Sequence, residues 1–185
     1  MRSRRTDARR NRQTILRVAD EAFAGECGVV PLAEIARRAG LGRATVYRHF
    51  PDRKALGTAL AAQQLSALRR VVSAAEHDRR PVRDVFRAVL SDQVARRPLV
   101  QLFRELPARE QRRHADALIR VLTPAFHRAQ VEGQLRDDVG PADLVLVFEM
   151  VEAALAARFS AGDPDPPADK LIEVLLDGLF GRLPE

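Results

Sequence analysis

The stretch Leu32-Ala33-Glu34-Ile35-Ala36-Arg37-Arg38-Ala39-Gly40-Leu41-Gly42-Arg43-Ala44-Thr45-Val46-Tyr47-Arg48-His49-Phe50 decides how the chain is read. Leu32, Ile35, Ala36 and Ala39 recur at the three-to-four spacing of one helix face. Gly40-Leu41-Gly42 interrupts that helix, and Gly40 suits the left-handed conformation that ends one. A second short helix is expected from Arg43 to Phe50, with Val46 and Phe50 turned inward. Ala36 is small where the two helices must approach, and Leu41 plugs the space between them. Two short helices joined by a glycine-containing turn make a helix-turn-helix. Arg43, Ala44, Thr45, Tyr47, Arg48 and His49 are left on or near the outer faces. Arg43 and Arg48 suit phosphates or guanine edges, and Thr45 suits a phosphate or a thymine methyl. Tyr47 offers a hydroxyl to phosphate.

Helical spacing continues outward on both sides. Ile15, Val18, Ala19, Ala22 and Phe23 share one face of a first helix, which Gly25 and Gly28 end. Pro51 stops the third helix, and Asp52 reads as the N-cap of a long fourth, with Leu56, Leu60, Leu65, Leu68 and Val72 on its apolar side. Pro81, Pro98, Pro107 and Pro141 open the fifth to eighth helices. Leu144-Val145-Leu146-Val147-Phe148 is apolar all round, which predicts burial on several sides. The segment from Gly162 to Pro167 reads as a loop, and a last helix carries Leu171, Ile172, Val174, Leu175, Leu176, Leu179 and Phe180. No strand alternation or repeat is found. The chain therefore reads as all-α, with about nine helices.

Charge is distributed unevenly. The 185 residues carry a net charge of +6. Residues 1–56 hold 13 Lys/Arg against 6 Asp/Glu, whereas residues 57–185 hold 18 against 19. A basic N-terminal part on a neutral body suits a polyanion, either nucleic acid or an acidic membrane surface. The organisation expected is a flexible basic arm over 1–10, a helix-turn-helix domain over 11–56 and a helical domain over 57–185. The opening arginines lack a following apolar segment, so they do not form an export signal and a cytoplasmic protein is expected. The arm also lacks the large apolar face of an interfacial membrane helix.

Within residues 35–56, Ile35-Ala36, Ala39-Gly40-Leu41-Gly42, Thr45-Val46-Tyr47, His49-Phe50, Asp52-Arg53 and Leu56 stand at the spacing of a known pattern. This stretch resembles the DNA-binding motif of the TetR family of bacterial transcriptional regulators, over roughly residues 10–60. The resemblance implies a homodimer bound to a palindromic operator in double-stranded DNA, repression as the default, and release by a small molecule. By position, Thr45, Tyr47 and His49 resemble recognition-helix residues, and Arg53 resembles a phosphate clamp at the start of the fourth helix. Arg43 and Arg48 lie at variable positions and are candidates for base reading. Arg4 and Arg5, with Arg9 and Arg10, are candidates for phosphate or minor-groove contact. Gly42 replaces the usual serine, leaving the recognition helix without a side-chain cap. Pro31 stands where a capping Thr or Ser is usual, which puts that phosphate contact in doubt.

The C-terminal domain supplies two further candidate sets. Leu144, Phe148, Val151, Leu155, Leu171, Val174, Leu175, Gly178 and Leu179 are expected in a four-helix dimer interface. Phe86, Phe103, Leu122, Phe126 and Phe148 are expected to line a ligand cavity, with His114, His127 and Arg104 supplying polarity. An apolar or aromatic effector fits such a lining. The alternative is a DNA-binding regulator with no small-molecule effector.

An all-α enzyme is disfavoured. No nucleophile elbow, phosphate-cradling glycine loop or metal-ligand cluster is found, and His49, His77, His114 and His127 form no i,i+4 pair. Asp137-Asp138 lies between Gly133 and Gly140 and reads as a solvated turn. Cys27 alone forms no internal disulfide and reads as a small buried residue near a helix end. No cofactor or metal is expected.

Overall fold

The computed structural model describes residues 2–25, 30–160 and 168–180. Among these lie nine helices: α1 (Arg2–Gly25), α2 (Leu32–Arg38), α3 (Arg43–His49), α4 (Arg53–His77), α5 (Val82–Ala95), α6 (Arg97–Arg104), α7 (Ala108–Val131), α8 (Asp143–Ser160) and α9 (Ala168–Leu179). The described residues contain no strand, only an isolated antiparallel bridge between Leu135 and Phe180. Cys27, Gly28 and the 162–167 loop lie outside the described residues.

The helix ends follow from local chemistry. Gly40 takes φ +64°, and α2 closes with Leu41 N–H on the Ala36 carbonyl (3.0 Å) and Gly40 N–H on the Arg37 carbonyl (3.2 Å). This paired geometry caps the orphan carbonyls of a helix end and needs a left-handed residue in the turn. Gly133 (φ +68°) ends α7 by the same pairing, with Gln134 N–H on Ala129 and Gly133 N–H on Gln130. Asp52 Oδ1 accepts the Ala55 N–H at 2.7 Å, the N-cap expected for α4. Gly42 precedes α3 and Pro31 precedes α2, each without a side-chain cap.

The chain divides into two compact units, Met1–Gln64 with Ala95–Gln111, and Leu65–Val94 with Arg112–Glu185. In the first, Ile15, Ala19 and Phe23 of α1, Ile35 and Ala36 of α2, Val46 and Phe50 around α3, and Leu56 and Leu60 of α4 form one core. Leu99 and Leu102 of α6 complete it. The first unit therefore exceeds the 11–56 segment expected to form it. Its hydrophobic core recruits a helix some forty residues downstream. Gly57 allows that recruitment: a Cβ there would stand 3.0 Å from Leu102 Cγ.

Residues 2–10 depart from the flexible arm expected. Their backbone is the beginning of α1. No Gly or Pro occurs between Arg2 and Ala24, and Arg and Ala are good helix formers, so nothing separates the segment from the helix that follows.

The second unit has its own core. Val72 and Ala75 of α4, Val85, Phe86 and Leu90 of α5, Leu122 and Phe126 of α7, Leu144, Val151 and Leu155 of α8 and Ile172 and Leu176 of α9 are buried together. Arg83 pairs with Glu173 (2.9 Å) and Asp177 (2.7 Å), and Arg87 with Glu173 (2.7 Å), tying α5 to α9.

Candidate nucleic-acid interface

Val46 and Phe50 anchor α3 to the first unit's core, and that register sets which side chains remain outside. Arg43, Ala44, Tyr47 and Arg48 form the exposed face, with Tyr47 retaining 46% of its surface. Thr45 and His49, expected beside them, are half-buried and border that face. The arrangement presents two guanidinium groups and one phenol from a helix fixed at two apolar points. Those groups can donate to phosphate oxygens and to guanine edges in a major groove.

Arg53 is exposed at the start of α4, where its guanidinium meets the Glu105 carboxylate at 3.2 and 3.3 Å. Thr58 donates to Glu110 at 3.0 Å, a second link from α4 to the segment after α6. Glu105 was not foreseen from sequence, because the pair spans 52 residues. Arg12 was also missed: its guanidinium lies 4.7 Å from the centre of the Phe50 ring. Such a cation–aromatic contact ties the exposed part of α1 to the residue that follows α3.

Arg37 and Arg38 lie near the turn but are engaged locally. Glu34 accepts two bonds from Arg37 (2.8 and 2.7 Å) and one from Arg38 (2.7 Å). Those bonds lower the Glu34 carboxyl from 4.5 to about 2. The i,i+3 and i,i+4 spacing would have revealed this pairing in the sequence. Arg4 and Arg5 fall within α1.

The second unit changes the other two candidate sets. Leu144, Val151 and Leu155 are buried inside the single chain's core, so they are not available to a partner surface. Phe148, Leu171, Leu175 and Leu179 are partly buried, and Gly178 is exposed. Val174 keeps 60% of its surface. The exposed side of α8 instead carries Leu146 (56%) and Met150 (55%), followed by Ala153 and Ala157. An all-apolar segment does not reveal which side faces its own core, and here Leu144 and Val147 do.

Of the cavity candidates, Phe86, Leu122 and Phe126 are core residues. The Phe86 ring packs 6.1 Å from Phe126 and edge-on at 5.6 Å to Phe180. Phe148 packs partly against that core, whereas Phe103 belongs to the first unit. Polar groups overlooked in the sequence lie beside Phe148. Gln93 Nε2 donates to the Phe148 carbonyl (2.9 Å), and its buried Oε1 has no hydrogen-bond partner among the described residues. Glu152, one turn further along α8, is 4% exposed. Burial pushes the His114 imidazole below the usual histidine range, while His127 and Arg104 are exposed. Among the described residues no group of three His, Cys, Asp or Glu is placed to hold a metal. No helix described is long and apolar enough to cross a membrane.

The same helical fold occurs in known proteins. The family model for bacterial regulatory proteins of the tetR family matches residues 15–60. The chain is 31% identical to a TetR transcription regulatory protein from Mycobacterium vanbaalenii, over 96% of this chain and 99% of that one, with a TM-score of 0.65. It is 24% identical to a TetR transcriptional regulator from Streptomyces coelicolor (93% and 99% covered, TM-score 0.66). It is 22% identical to NalD of Pseudomonas aeruginosa, the secondary repressor of a multidrug efflux pump (96% and 100% covered, TM-score 0.55). No curated protein matches the sequence significantly.

Proposed function

Because the chain belongs to the TetR family of bacterial transcriptional regulators, we propose that it is a homodimeric repressor released from a palindromic operator by a small molecule. The observation that carries this reading is the exposed Arg43, Tyr47 and Arg48 face of α3, held over buried Val46 and Phe50. Arg43 and Arg48 read bases, while Tyr47, Thr45 and His49 contact backbone and groove wall. Arg53 clamps a phosphate, and Arg4 and Arg5 lie on the helix that carries further cations.

Dimerisation is assigned to the exposed stripe of α8 and the exposed to half-buried stripe of α9. Leu146, Met150, Ala153 and Ala157 recur at i, i+4, i+7 and i+11, and Leu171, Val174, Leu175 and Gly178 at i, i+3, i+4 and i+7. A two-fold axis lets the same stripes meet themselves in a four-helix contact. Phe148 stands between that contact and the core.

The effector is assigned to the α5–α8 region around Phe148, Phe86, Leu122 and Phe126, with Gln93 Oε1 as an acceptor for a ligand donor. A mainly apolar molecule with one donor group fits this set. Such a ligand releases the operator only by binding the non-docking arrangement of the two heads more tightly. Phe103 is not included, since it belongs to the first unit.

Selection of bound sequences from random duplexes tests the reading. The expected result is an inverted repeat with half-site centres roughly 34–36 Å apart, or a multiple. Recovery of no sequence, or of a single unrepeated element, contradicts it.

A further inference from the structure

Charge flanks the α8 and α9 stripes. Glu149 is exposed one turn before Ala153, about 40° around α8 from it. Lys170 is exposed one turn before Val174, with the same offset on α9. Neither side chain is paired with another described residue. Glu149 has Val145, Leu146, Glu152 and Ala153 at the positions three and four away, none of them a cation. The acid three residues beyond Lys170 is Glu173, which is held by Arg83 and Arg87. Asp169 points about 140° away from Val174, Asp177 is held by Arg83, and Arg158 is already engaged. Lys170 also stands in the first turn of α9, where the helix dipole disfavours a cation. A carboxylate from outside the chain offsets both conditions.

The two helices run antiparallel. α9 follows α8 after residues 161–167, and its far end returns to the segment that leads into α8. There Arg136 N–H donates to the Leu179 carbonyl (3.3 Å), Leu135 bridges Phe180, and Gly140 N–H donates to Asp143 of α8 (2.7 Å). Lys170 therefore lies at the end of the helix pair that carries Ala157. Glu149 lies toward the other end, about 12 Å from Ala157 along α8.

We propose that Glu149 pairs with Lys170 of the partner subunit, so that two symmetric ion pairs flank the four-helix contact and fix its register. A two-fold axis across α8 at Ala153 exchanges the ends of the helix pair. It brings Glu149 level with Ala157 of the partner subunit, beside the first turn of the partner's α9. Ala153 is small enough for the two α8 helices to approach closely there. A two-fold axis along the helices would instead set Glu149 beside Glu149 of the partner subunit, and Lys170 beside Lys170 of the partner subunit. The partner this surface fits is a second copy of this chain, because a chain lacking either charge leaves the other unanswered. The inference rests on the homodimer reading and adds the residues that set its register and partner choice.

The test is fluorescence-detected sedimentation of the full chain over a dilution series at low salt. An isologous contact counts each substitution twice. Glu149→Lys alone and Lys170→Glu alone are each expected to raise the dimer dissociation constant at least about 2- to 30-fold, the loss of two surface ion pairs. The weakening should shrink as salt rises. Mixing the two single variants, one of them labelled, is expected to restore a heterodimer. One protomer then carries only cations at the two positions and the other only anions. The double variant should also regain the dimer. Single variants as dimeric as the unaltered chain overturn the pair and leave the dimer standing. Rescue in the double variant but not in the mixture overturns pairing across subunits in favour of pairing within the chain. Rescue in neither assigns the weakening to local structure and overturns the pair as well. An unaltered chain that stays monomeric at micromolar concentration rejects the homodimer reading itself.

Discussion

Replacing Glu105 by glutamine should tighten DNA binding. Arg53, the proposed phosphate clamp, is already paired with Glu105 at 3.2 and 3.3 Å, so a phosphate must displace that carboxylate. The two side chains are 43% and 50% exposed, so the pair belongs with surface ion pairs worth about 0.2–1 kcal/mol. Removing the competitor returns that amount to each head. For two heads on one duplex the gain is about 0.4–2 kcal/mol, or roughly 2- to 30-fold in affinity. The gain should shrink as salt rises, because exposed charges are screened. The assay is an anisotropy titration of the full chain on its selected duplex at two salt concentrations, with thermal unfolding as the control for folding. The stability cost should not exceed about 1 kcal/mol. In an Arg53→Ala background the same change should give no gain, since the coupling runs through Arg53. A folded Glu105→Gln protein with unchanged or weaker binding would refute the competition. A gain that survives Arg53→Ala would show that Glu105 acts by general repulsion of the duplex.

Val174→Asp should yield a folded monomer by sedimentation, because Val174 is exposed in the single chain, whereas Leu155→Ala should destabilise the second unit by about 2–5 kcal/mol in denaturant unfolding. A dimeric Val174→Asp protein would remove α9 from the interface. Glu34 should make an acid-sensitive contribution to the first unit. Its carboxyl titrates at about 2 when folded against 4.5 ordinarily, so the contribution is complete above about pH 4.5 and lost as pH falls toward 2. Glu34→Gln should flatten that limb of a circular-dichroism pH titration, and an unchanged limb would assign it elsewhere. Arg79 holds φ +51° at the end of α4, closing it with Arg80 N–H on the Ala75 carbonyl (2.9 Å). Arg79→Gly should therefore stabilise the second unit by about 1 kcal/mol, the left-handed strain of a non-glycine residue; a lower unfolding midpoint would contradict this.

The fold is legible in the sequence where local chemistry decides the outcome. Gly40 ends α2, Asp52 caps α4, and the Val46–Phe50 spacing selects the outer face of α3. Membership of α6 in the first unit was not legible, because it depends on Leu102 meeting Gly57 across 45 positions, and prolines mark only where that helix starts. The charge run at the N-terminus has the composition of a solvated arm. The helix propensity of its arginines, and their unbroken continuity with Ile15, make it part of α1. In α8, a run apolar on every side identifies burial without direction. The assignment of Leu144, Val151 and Leu155 to the chain's own core, with Leu146 and Met150 outside, required the packing of α5, α7 and α9. Glu152 and Gln93 gave no periodic signal, since each is a single polar residue among apolar ones.

The most direct test of the central claim is the stoichiometry of the full chain on its selected duplex, measured by analytical ultracentrifugation with one half-site intact or scrambled. Two chains should bind one intact duplex as a unit, and scrambling either half-site should weaken binding steeply. One chain per duplex, or affinity indifferent to the second half-site, would contradict a dimer whose two α3 helices read the operator together.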